Sequence, residues 1–200
     1  MKKLFAGIPC LLLIIFYLSG CAAVGSKDAN PSGIYAVAAV LSLLLLVGYI
    51  LFAHQKRFWF ILLFTSVFIV NTGYAFLAVS SGLEVALWAN RISYLGSVFL
   101  PLSMLMIIMD ATNTPCQKRL ITILFAVTVF IFLIAASPGI LPIYYKEVSF
   151  AVVNGVSTLV KVYGPLHSIY LFYLLGYFSA MLAVIIRARI KKTIDSTAHA

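Results

Sequence analysis

Charge is scarce in this chain, and acidic charge is scarcest. Five acidic residues occur in 200: Asp28, Glu84, Asp110, Glu147 and Asp195. No two of them stand at the spacing of a carboxylate dyad within one predicted helix, so the sequence offers no such pair for acid–base chemistry. Histidine is equally sparse. His54 falls in a loop, His167 at a helix entry and His199 in the tail, none with a second ligand at zinc spacing. The three cysteines, Cys10, Cys21 and Cys116, lie in different segments, so neither a metal site nor a disulfide framework is expected. A glycine-rich phosphate loop is missing as well. No enzyme activity, metal or organic cofactor is expected from this chain.

What is abundant is apolar surface. The chain is 64% hydrophobic and 10% charged, with a mean hydropathy of +1.11. Soluble domains are about half apolar and about a quarter charged, so lipid has to cover much of this surface. The formal charge of +9 would point to nucleic acid in a soluble protein. Here the cations sit in short loops between apolar runs, where they set orientation in a bilayer, and no nucleic-acid partner is expected. The fold class is therefore an all-α membrane protein: a polytopic transmembrane helix bundle with one short β-hairpin.

Residues 1–21 resemble a signal peptide. Lys2 and Lys3 form a basic start, an apolar run follows, and Leu18-Ser19-Gly20-Cys21 matches a bacterial lipobox in which Cys21 would be lipidated. An uncleaved first helix with a chance cysteine is the alternative. Residues 22–33 read as an extracytoplasmic linker with turn formers. Apolar runs at 34–53, 58–79, 84–110, 120–136 and 166–186 each have the length of a membrane span. Together, residues 34–192 form the five-span domain, and 193–200 a polar cytoplasmic tail.

Between the fourth and fifth spans the pattern changes. Residues 145–163 are rich in Val, with Thr158 among them and Tyr at both ends, and Asn154-Gly155 separates two β-branched runs. An Asn-Gly pair so placed predicts a hairpin, with strands near 146–153 and 156–162, closed by Gly164-Pro165. If the post-signal N-terminus lies outside, the cytoplasmic segments hold Lys2, Lys3, Lys56, Arg57, Lys118, Arg119, Arg187, Arg189, Lys191 and Lys192. The external segments hold only Lys27, Lys146 and Lys161. That bias agrees with the signal peptide, and it places the hairpin outside the cytoplasmic membrane of a bacterium.

The third span carries the candidate site. Glu84, Trp88, Arg91 and Leu95 are expected on one helical face, where Arg91 either lines an externally open pocket as an anion-seeking donor or snorkels to the interface. Asn90 and Tyr94 complete the candidate ligand set. Pro101, mid-helix, is read as a kink or hinge. Asn71 and Thr72 in the second span can bond across helices.

Two stretches resemble a known family. Trp88-Ala89-Asn90-Arg91-Ile92-Ser93-Tyr94-Leu95-Gly96 with Pro101 five residues on, and Val162-Tyr163-Gly164-Pro165-Leu166-His167-Ser168-Ile169-Tyr170 after the hairpin, are similar to the N-terminal 7TM region of bacterial histidine kinases and diguanylate cyclases. The resemblance implies a membrane-embedded sensor that takes up an extracytoplasmic ligand. It also implies seven helices and a cytoplasmic output domain, whereas this chain carries five spans after the signal. A truncated input module is therefore expected, working as a homodimer or with a separate output protein. A small transport protein and a lipid-anchored scaffold are the alternatives. The first would need polar residues at matched depth on several helices; the second rests on Cys21.

Overall fold

A computed structural model describes residues 31–198. The expected signal peptide, Cys21 and the expected linker up to residue 30 lie outside the described residues. Five helices and one hairpin follow: α1 (Pro31–Phe52), α2 (Phe58–Ala78), α3 (Leu83–Ala111), α4 (Lys118–Ala135), β1 (Tyr145–Val153), β2 (Val156–Tyr163) and α5 (His167–Ala198). All five helices are long and apolar enough to cross a membrane.

Two boundaries differ from expectation. The first helix begins at Pro31, inside the expected linker, because proline's fixed φ and missing N–H suit a first helical turn. The last helix continues through the expected tail to Ala198, since nothing between Arg187 and Ala198 is Pro or Gly to end it.

The α3 helix is the centre of the bundle. Half of its apolar window is buried, against 11–17% of the windows of the other four. It packs against α2, α4, α5 and both strands, while α1 packs against α2. Between apolar helices in lipid the hydrophobic effect gives little association, so close backbone approach has to do it. Small residues on α3 supply this: Ala86, Ala89, Ser93 and Gly96 are all buried. A Cβ on Gly73 would strike the backbone of Ser93, and one on Gly96 would strike Ser66 and Val70. The two helices therefore meet nearly backbone to backbone.

Lower in the bundle, α3, α4 and α5 share an apolar core of Val98, Leu102, Leu105, Met106, Ile131, Tyr173, Tyr177 and Met181. It holds one polar knot. The Tyr173 hydroxyl donates to Val98 O at 2.6 Å and lies 3.1 Å from Thr128 Oγ1. Pro101 is buried beside this core, and α3 runs through it unbroken. Asn71 and Thr72 do not bond across helices: Asn71 Nδ2 donates to Val67 O of its own helix, and Thr72 Oγ1 is buried without a partner.

The hairpin forms where the Asn-Gly pair predicts it. Asn154 and Gly155 have φ of 52° and 77°, the pair of positive values that a type I′ turn needs, and Val153 faces Val156 across it. An irregularity between Tyr145 and Glu147 leaves Lys146 outside the pairing.

Candidate functional site

The inner face of the hairpin is set by strand periodicity. Ser157, Leu159 and Lys161 point the same way on β2 and lie opposite Val152, Phe150 and Val148 on β1. Leu159, Val148 and Phe150 pack on Leu77, Ala86, Leu87 and Ala89 at the α2–α3 end. Two polar bonds fix the docking. Ser157 Oγ donates to Ser80 O at 2.6 Å, and Lys161 Nζ donates to Asn90 Oδ1 on α3 at 2.9 Å.

Beneath Lys161 lies a group of tyrosines. The Tyr144 hydroxyl donates to the Tyr94 hydroxyl at 3.1 Å, and Tyr94 and Tyr145 share a bond of 2.8 Å. Lys161 Nζ stands 5.2 Å from the centre of the Tyr145 ring, a cation–π contact. Tyr170 meets Tyr94 edge-on at 5.6 Å, and His167 stacks on Tyr163 at 3.9 Å. Tyr144 is wholly buried and Tyr145 nearly so. Burial, and then the Tyr94 phenol, pushes both hydroxyls well above the ordinary tyrosine range. Burial pulls the Lys161 ammonium below the ordinary lysine value. Gly164 lets the end of the hairpin close on this group, since a Cβ there would strike Ile143 O; its N–H donates to Tyr144 O at 2.8 Å. Pro165 follows in the turn that leads into α5.

The five candidate ligand residues separate. Asn90 and Tyr94 face inward under the hairpin. Glu84 and Trp88 are exposed, so the face expected to line a pocket is the outward one. Arg91 does not pair with Glu84. Its Nε donates to Ala136 O at 3.0 Å and its Nη2 to Pro138 O at 2.8 Å, while the guanidinium covers the Trp88 ring at 4.6 Å. These bonds fasten α3 to the end of α4.

Sequence reasoning passed over Lys161, Tyr144, Tyr145 and His167 as site residues. A signal for Lys161 was present: it shares strand parity with Ser157 and Leu159, which puts a cation on the face that docks. The tyrosines come together from a loop and three elements, and spacing does not reveal that.

At the other end of the bundle Arg57 pairs with Asp110, both about half exposed. The pair borders a cleft of about 480 Å³ lined also by Trp59, Met106, Met109 and Cys116. Burial pushes the Cys116 thiol up. Among the described residues, no group of three His, Cys, Asp or Glu could hold a metal ion.

Comparison with known proteins agrees with the bundle. The family model of the N-terminal 7TM region of histidine kinase matches residues 34–196, a stretch that includes four of the candidate spans and the hairpin in full and all but the first residue of the other span. No curated protein and no solved structure matches the chain. The chain belongs to the family of N-terminal 7TM regions of histidine kinases.

Proposed function

We propose that this chain is a sensory input module of the bacterial cytoplasmic membrane, with the hairpin outside and the Arg57–Asp110 end at the cytoplasm. The observation that carries the reading is the docking of the hairpin on α3. Lys161, Ser157 and Tyr145 fasten it to Asn90, Ser80 and Tyr94. The same helix, buried through the core, runs past Pro101 to Asp110 at the far end. A ligand that alters the docking acts directly on the element that reaches both sides. The cation bias of the loops supports the orientation, and membership of the family supports a sensory role. The output partner in this reading is a cytoplasmic protein, or a second copy of the chain.

Two measurements test it. Reporter fusions in the Lys56–Arg57 loop are expected to be active only in the cytoplasm, and fusions at the Asn154–Gly155 turn only outside. Maleimide labelling of Cys116, followed by peptide mass spectrometry, reads the far end of α3. Asn90→Leu is expected to change its rate several-fold, and an unchanged rate would separate the hairpin from the far end and remove the sensory reading.

A further inference from the structure

The hairpin end of the bundle is rich in donors and poor in anions. Lys161 and Arg91 both stand there, partly buried. The acids of that end, Glu84 and Glu147, are exposed, and neither pairs with a cation; the Arg57–Asp110 ion pair lies at the opposite end. Arg91 is satisfied by two carbonyls. Lys161 is not. One of its three N–H groups reaches Asn90 Oδ1, and its other close neighbour is the face of the Tyr145 ring. A partly buried ammonium without an acid is a costly arrangement unless something supplies the charge.

The neighbouring amide points the same way. Asn90 is 1% exposed, and its Nδ2 has no hydrogen bond of normal geometry, although the Tyr145 phenol is close enough to feel it. Three buried side-chain polar atoms among the described residues lack a partner, and two of them, Asn90 Nδ2 and His167 Nδ1, flank this tyrosine group. Native interiors rarely leave such atoms unpaired, and an unmet donor beside an unmet cation asks for an acceptor carrying negative charge.

We propose that Lys161 and Asn90 form the receptor for an oxyanion, a carboxylate or phosphate group admitted under the edge of the hairpin. The oxyanion accepts from Lys161 Nζ and Asn90 Nδ2. It uses donors that the Lys161–Asn90 bond leaves free, so the anion sits directly on the contact that fastens β2 to α3, and its binding bears on how the hairpin docks. The tyrosine hydroxyls, already bonded to one another, form the floor. This rests on the sensory reading only for its consequence; the site itself stands on its donors.

The test uses the full chain in nanodiscs of phosphatidylcholine, with Trp59→Phe leaving Trp88, two residues from Asn90, as the single tryptophan. Acetate, succinate and inorganic phosphate are titrated against chloride at constant ionic strength, with acetamide and succinamide as neutral counterparts. At least one anion is expected to give a saturable change in Trp88 emission that its neutral counterpart does not give. Lys161→Met and Asn90→Leu are each expected to weaken it at least tenfold, and Lys161→Arg to restore most of it. Doping the discs with phosphatidylglycerol assigns the source: displacement of the probe makes the group a lipid headgroup, and no displacement a soluble acid. The proposal is overturned if no anion gives a saturable response, if the amides respond equally, or if Lys161→Met binds like the parent. Binding that leaves Cys116 labelling unchanged would sink the sensory reading and keep the site. Hairpin coupling without anion binding would do the reverse.

Discussion

Arg91 Nη2 on α3 donates to Pro138 O, 2.8 Å away and 47 residues later in the chain, while its Nε holds Ala136 O. Ala136 is the residue that caps the end of α4 and Pro138 lies in the loop after it, where the carbonyls have no helical N–H to accept from. Replacing Arg91 with Met keeps the apolar stem and removes both bonds. The expected loss is about 1.5–3 kcal/mol for charged hydrogen bonds at a partly buried site, read as a lower unfolding midpoint in detergent. Hydrogen exchange should quicken at 134–141 before it quickens elsewhere.

The α2–α3 contact depends on two missing side chains. Gly96→Leu sets a side chain where Ser66 and Val70 already stand, and Gly73→Val one where Ser93 stands. Each is expected to cost at least about 1–3 kcal/mol through overpacking and to lower the yield of folded protein by size-exclusion profile. Gly48→Leu, on α1 with open space around it, is the control and should be tolerated.

At the hairpin tip Gly155 has φ of 77°, and an added Cβ would meet nothing within 4 Å. Gly155→Ala therefore meets a conformational penalty and no clash. About 1 kcal/mol is expected, confined to faster hydrogen exchange in the two strands. Asn154→Gly, at φ of 52°, should leave exchange nearly unchanged.

The buried ionisable groups of the hairpin end act in opposite directions as pH rises. Lys161 is lowered by burial, so between its folded value and the ordinary lysine value near 10.4 the unfolded chain holds the extra proton. Stability therefore increases with pH across that window. Tyr144 and Tyr145 are raised above 10.0, so above about pH 10 the unfolded chain releases protons the folded one keeps, and stability falls. Unfolding midpoints against pH should rise and then turn down in the alkaline range. Lys161→Met should flatten the rise, and Tyr144→Phe should soften the fall. A midpoint that declined steadily from neutral pH in the parent chain would contradict the burial of Lys161.

Some of this protein is decided by its neighbours in sequence alone. Five runs of about twenty apolar residues cross a bilayer because a helix of that length matches its thickness. Asn154-Gly155 turns the chain because those two residues accept positive φ. Both are local matters, and both were legible. Which side of α3 faces inward was not. A helix apolar all round carries no stripe to distinguish core from lipid, so Glu84, Trp88 and Arg91 looked like the lining of a pocket and turned out to face outward or sideways. The inward side is chosen by where small residues let two backbones meet, at Gly73 with Ser93 and Gly96 with Ser66. That contact rotates Asn90 and Tyr94 under the hairpin, and only the folded arrangement then brings Lys161, 71 residues away in the chain, to Asn90.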